Sequence, residues 1–362
     1  MFNKPIIIEM SSYIKPVPVE SNINKWVLNG KNNDFYQYLI DRFNGSTTNS
    51  AIINKKIELM YGKGLTIKNA HTHADNYAKL LKMFPKRELR KIISDFELFG
   101  SASFFIRKNK GGGISDCYHI PRQTLAPEKM NEDGEIEAYY YCKNWKNTQK
   151  NKPERIPFFG RGGKTETEVM VVEPYRAGKF YFADPKYLAG CQYAQLEEEI
   201  SNFSINHIKN GLSAGYIINF NQGAPTTVEQ ADEIERDIKR KLTSSGNAGN
   251  VIISFNENKE NQPTIEEIPT NKSHEAWQLW VDLARTNIMV SHGVTSPILF
   301  GIKDNSGLGN NADELRTAFE LYMNTELKPN QEILLDAFQE VAYKADVSQE
   351  IEFVQMVLVS ND

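Results

Sequence analysis

The sequence predicts an α+β fold with an elongated subunit, and three observations predict it. In the first half, short helical and short strand-like segments fall in separate blocks instead of alternating. Two long amphipathic stretches then flank a small α/β insert. After the second comes a long helical run interrupted by one proline. At 362 residues the chain can bury a large core.

The elements follow in order. Residues 34–43, 50–60, 72–84 and 86–99 carry helical periodicity, with Gly62 and Gly100 as stops. Residues 102–107, 116–120, 135–142 and 168–173 are short, aromatic and β-branched, as strands are. Between the last two, residues 144–167 read as a long polar excursion. Tyr193, Leu196, Ile200, Phe203 and His207 recur every three or four residues and make one apolar stripe, ended by Gly211 and Gly215. The insert follows: a strand at 216–220, a capping-box helix from Thr227 to Leu242, and strands at 251–255 and 264–268. Ser273 caps a second long helix, 274–292, with Trp277, Trp280, Ala284 and Ile288 on one face. Asn311 and Glu314 form an N-cap pair that opens a helical run, 312–345, which Pro329 should kink or break. Residues 350–359 alternate like a final strand.

Composition excludes several function classes. The chain is 40% hydrophobic and 24% charged, its formal net charge is -4 and its mean hydropathy is -0.50. No global positive field draws in nucleic acid. Cys117, Cys142 and Cys191 form no C-x-x-C pair, so neither a zinc site nor a disulfide framework is suggested. The apolar run at 5–8 is too short for a signal-peptide core, and nothing approaches the ~20 apolar residues of a membrane span. The expectation is a soluble intracellular protein.

Five short motifs suggest chemistry. Gly307-Leu308-Gly309-Asn310-Asn311-Ala312 fits the G-x-G-x-x-[GA] dinucleotide fingerprint. That site needs a strand running into its first glycine and a second strand carrying an acid. Here residues 298–302 could form a strand, but Lys303 to Ser306 intervene and a long helix follows. Gly160-Arg161-Gly162-Gly163-Lys164-Thr165 ends like a phosphate loop, yet Phe158 stands where its first glycine belongs, so it reads as an exposed hairpin tip. His71-Thr72-His73-Ala74-Asp75 resembles a metal cluster, but at a helix start its two histidines diverge, which favours a polar cap. Lys86, Arg87, Arg90 and Lys91 read as a solvated helix face diluted by Glu88, and Lys239 to Lys241 as the basic end of a helix that opens with acids. No catalytic set, cofactor or metal site is favoured.

The order of parts resembles the portal proteins of tailed bacteriophages. The resemblance rests on Asn32-Asn33-Asp34-Phe35-Tyr36, the run from Ser50 to Lys56, Gly62-Lys63-Gly64, EIEAYYYCKNW at 135–145, Tyr187-Leu188-Ala189-Gly190, Ile208 to Gly211, Val294 to Gly301, and Pro329-Asn330-Gln331. It implies a ring, dodecameric in the virion, at one capsid vertex. Residues 1–185 with the kinked helix, 312–346, would form the wing. Residues 186–212 and 273–295 would be stem helices around a channel. Residues 213–272 would be the clip, meeting the terminase large subunit and then the head–tail adaptor. Residues 296–311 would be the tunnel loop, and 347–362 a terminal strand or tail with a crown minimal or absent. The resemblance also implies major capsid and scaffolding proteins as partners, a site in the virion after assembly in the host cytoplasm, and no membrane.

Two residue sets are implied. Lys303, Asp304, Asn305, Ser306, Gly307, Leu308, Gly309 and Asn310 would face passing double-stranded DNA. Lys303 beside Asp304 is locally neutral, which suits sliding, since each neutralised phosphate adds affinity and drag. Tyr193, Leu196, Ile200, Phe203, Trp277, Trp280 and Ile288 would pack neighbouring subunits. Two alternatives stay open: a nucleotide-binding enzyme using Gly307 to Ala312, and another phage head–tail connector ring.

Overall fold

A computed structural model describes residues 16–20, 23–211, 216–220, 233, 251–255, 273–301 and 312–356. They divide into two compact units, Met1–Ala194 with Thr286–Asp362, and Gln195–Arg285.

In the first unit, α1 (Phe35–Gly45) and α2 (Thr47–Tyr61) are separated by Ser46, whose Oγ accepts the Asn49 N–H at 3.1 Å and so caps α2. The helices α3 (Ala74–Met83) and α4 (Lys86–Phe99) follow. Gly100 ends α4 in the left-handed region, φ 72°, and a Cβ there would stand 2.6 Å from Pro185. Only glycine lets the returning chain pass so close.

The central strand β4 (Ala102–Lys108) pairs antiparallel with β5 (Ile114–His119) and β9 (Thr167–Val172). A second sheet joins β6 (Leu125–Pro127), β7 (Ala138–Tyr141) and β8 (Glu154–Pro157). The strand β8 lies inside the expected polar excursion, where Ile156 and Phe159 are buried. Two apolar residues so placed give the sheet another strand. Short strands β1 (Pro18–Glu20) and β2 (Val27–Asn29) pair with each other. The strand β3 (Leu65–Ile67) pairs antiparallel with β12 (Ile351–Phe353), which is the expected final strand, shorter by several residues.

The core lies where the first sheet meets the end of the chain. Phe84, Phe104 and Phe338 pack with ring centroids 4.7 to 5.9 Å apart. Phe338 belongs to α8 (Lys328–Lys344), which continues α7 (Ala312–Tyr322) through a π-helical turn, Met323–Leu327. Pro329 therefore does not break the run. One wide turn just before it takes up the misfit of a residue with no N–H to give.

In the second unit, β10 (Tyr216–Phe220) and β11 (Val251–Phe255) pair in parallel, in the expected positions. The expected strand at 264–268 lies outside the described residues, as does all but Glu233 of the expected capping-box helix.

Candidate functional site

The two long helices are the first candidate. They are α5 (Cys191–Gly211) and α6 (Ser273–Ser291), at the expected positions within a few residues. Their outer segments lie in the second unit, where Phe203 meets Trp277 with ring centroids 4.3 Å apart. Phe203 and Trp280 are each 51% exposed, and Ile205, Leu279 and Leu283 stand out beside them in sequence. Leu196, Ile200 and Trp277 are half-buried. Exposed apolar side chains are thus concentrated on the outer segments of these two helices.

The stripe does not act as one surface, however. Ile288 is 1% exposed and belongs to the core of the first unit, and Tyr193 packs partly against that core. Ile288 is thus unavailable to a neighbouring molecule. The periodicity was the same along each helix, but the inner ends spend it on the subunit's own core.

Those inner ends are held by a buried polar network. A 3₁₀ turn, Lys186–Gly190, leads into α5, and its Tyr187 hydroxyl donates to the Leu98 carbonyl at 2.5 Å. Tyr187 stacks on His292, just past α6, at 4.5 Å and 17°. The Asn49 amide donates to the Arg42 carbonyl, so its Oδ1 faces His292 Nε2 at 2.8 Å and accepts that N–H. Burial, then the Lys56 charge, pushes the His292 pKa well down, which keeps the ring neutral. Beside it, Lys56 pairs with Glu97 at 2.9 Å, with side chains 4% and 2% exposed, and Asn330 donates to the same carboxylate at 3.3 Å. Gly190 closes the root, because a Cβ there would meet Ser291 Oγ at 2.1 Å. Lys56, Tyr187, Gly190 and Asn330 stand in stretches that carried the resemblance, but nothing in the sequence gave the partners of any of these residues.

The remaining motifs resolve differently. Residues 302–311, including Lys303 to Asn310 and the cap Asn311, lie outside the described residues. The segment just before them is no strand: Pro297–Phe300 is a 3₁₀ turn ended by Gly301 at φ 74°. The Ser-Pro start favours a turn there, and the lead-in that a dinucleotide site needs is missing. The loop at 160–165 is exposed, as expected, at Gly160, Arg161, Gly163, Lys164 and Thr165, but it is tied down. Its Gly160 and Gly162 amides donate to the buried Glu168 carboxylate, which also pairs with Lys108 at 2.9 Å. Amides that could cradle a phosphate are taken by the protein's own acid.

His73 stands at the N-cap of α3 but makes no side-chain cap bond, correcting the expected polar cap. The described residues contain no cluster of three or more His, Cys, Asp or Glu suited to a metal. Cys117, Cys142 and Cys191 are buried free thiols, and burial pushes the first two to higher pKa, away from nucleophilic use. No helix among the described residues is long and apolar enough to cross a membrane.

No family model matches the chain, and no curated protein matches it. Solved structures do. The neck of an empty gene transfer agent (GTA) particle, computed with C6 symmetry, is 15% identical over 88% of this chain and 83% of its own, with a TM-score of 0.60. The neck of a native particle of that kind, computed with C12 symmetry, is 14% identical with the same coverage and a TM-score of 0.59. An HK97 family phage portal protein from Corynebacterium diphtheriae is 11% identical over 86% of this chain and 94% of its own, with a TM-score of 0.51. Identities this low establish a shared architecture, and the chain has the fold of that phage portal protein and of those particle necks.

Proposed function

We propose that the chain is a portal-type subunit, which forms a ring at one capsid vertex and surrounds a channel for double-stranded DNA. The observation that carries this reading is the fold likeness, which extends over 86 to 88% of the chain and reaches structures computed with C6 and C12 symmetry. The exposed apolar side chains of the second unit support it. Covering Phe203, Ile205, Leu279, Trp280 and Leu283 with a neighbour would contribute roughly 1 kcal/mol or more each.

In this reading residues 1–185 and 312–346 form the wing, 186–212 and 273–295 the stem, and 213–272 the clip that meets the terminase large subunit and then the adaptor. Residues 296–311 form the tunnel loop, in which 303–310 face the DNA. The subunit carries out no chemistry: its work is to hold a passage of fixed width that grips DNA weakly. Electron microscopy of the purified full chain tests it, with rings around a central hole as the expected result. A uniformly monomeric sample at high concentration, with or without scaffold and capsid partners, would overturn it. Deleting residues 303–309 should leave rings intact and impair DNA packaging or retention; unaffected packaging refutes the loop's role.

A further inference from the structure

Between Lys79 and Lys91 the chain places six cations, Lys79, Lys82, Lys86, Arg87, Arg90 and Lys91, against one acid, Glu88, in a protein of net charge -4. On the page of the sequence Glu88 dilutes this cluster. In the structure it does so at one member only, Lys91. Its carboxylate accepts the His119 backbone N–H at 3.1 Å and the Lys91 ammonium at 2.6 Å, and these bonds hold its pKa below the ordinary value despite partial burial. Lys79, Lys82, Lys86, Arg87 and Arg90 stay exposed, with no acid within ion-pair distance among the described residues. The Arg90 guanidinium lies 3.7 Å over the Tyr61 ring, which orients it while leaving its N–H edges open.

What would cover such a surface is decided by what it lacks. Among the described residues no large apolar side chain is exposed anywhere between Asn24 and Pro174. Protein interfaces and membrane-seated helices engage apolar or aromatic side chains together with charges, and this surface offers charges alone. A phosphate backbone needs only cations and donors, and reads no sequence from them.

We infer that the exposed cations Lys79, Lys82, Lys86, Arg87 and Arg90 of the consecutive helices α3 and α4 together make a docking surface for the phosphate backbone of duplex DNA. It is distinct from the channel loop, and the choice of DNA as the polyanion rests on the portal reading. There, one part of the subunit must let DNA slide while another can hold packaged DNA beside the ring.

The test is fluorescence anisotropy of a labelled random-sequence duplex with the full chain, across a salt series starting near ~50 mM. The variant Lys82→Ala/Lys86→Ala/Arg87→Ala removes three exposed charges, and Lys143→Ala/Lys146→Ala/Lys150→Ala removes three elsewhere on the surface. The first triple should weaken binding by at least tenfold and flatten the slope of log K against log salt by about 2 to 3, while the second changes neither. Equal loss in both triples, no duplex binding by the wild type at low salt, or equally tight binding of a polyglutamate of matched charge would each overturn the inference. Electron microscopy of the same samples separates the two readings. Rings without patch-dependent binding leave the portal reading standing and refute the patch; patch-dependent binding without rings does the reverse.

Discussion

Replacing Glu97 by alanine should be among the most damaging single changes in the subunit. Glu97 and Lys56 are 2.9 Å apart on α4 and α2, both almost wholly buried, and Asn330 of α8 donates to the same carboxylate. Truncation leaves an ammonium in the core with no opposite charge, and an amide with no acceptor. Breaking one partner of a buried pair costs about 3–5 kcal/mol, a large part of a domain's stability. The pair itself is a different quantity. Its desolvation offsets most of its attraction, so Lys56→Met with Glu97→Leu together should lie within ~2 kcal/mol of the wild type. Urea unfolding followed by circular dichroism measures both, provided the m-value is unchanged. A loss below ~1 kcal/mol for Glu97→Ala, or a double variant as unstable as the single, would refute the idea that an uncompensated charge is what costs.

Two further outcomes follow from the same root. His292 is held neutral with its pKa well below the ordinary histidine value of about 6.5, so the unfolded chain binds its proton more readily than the folded one. Its contribution is full above about pH 6.5 and is lost as pH falls toward the folded pKa, by up to ~1.4 kcal/mol per pH unit. Unfolding measured between about pH 7 and 5, above the carboxylate range, should therefore slope in the wild type and be flatter in His292→Gln. Gly190→Ala should cost about 1–3 kcal/mol through collision with Ser291, and Gly190→Ala with Ser291→Gly should cost less than the sum of the two single changes, read from the same unfolding curves.

Much of the architecture was legible because it rests on local periodicity. The helices α4, α5 and α6, the strands β4, β9, β10 and β11, and the stops at Gly62 and Gly100 follow from spacing and turn chemistry alone. What escaped depends on contacts far apart in sequence. The strand β3 is three residues long and exists because residues 351–353 lie beside it. Pro329 is absorbed by a π-helical turn just before it, in which Met323 and Leu327 stay buried, so the run continues where the sequence alone suggested a kink or break. The apolar stripe of α6 was visible, but its division between an exposed Trp280 and a buried Ile288 was not. Periodicity tells which face of a helix is apolar, never what covers it. Glu88 dilutes its cluster at Lys91, as its local spacing allows, but its second bond, from the His119 N–H 31 residues away, was not legible.

The root of the two long helices explains why polar groups are used there at some expense in stability. An apolar core accepts a helix displaced by a fraction of a turn with modest loss, because dispersion and burial have little direction. Hydrogen bonds do not: His292 reaches Asn49 Oδ1, Tyr187 reaches the Leu98 carbonyl, and Gly190 admits Ser291, only when both helix ends are in register. A displacement of one residue along α6 would move His292 by about 1.5 Å and leave two buried polar groups unpaired. On the proposed portal reading, a subunit that meets identical neighbours gains from that selectivity, because the directional contacts fix the inner ends of α5 and α6 within the first unit.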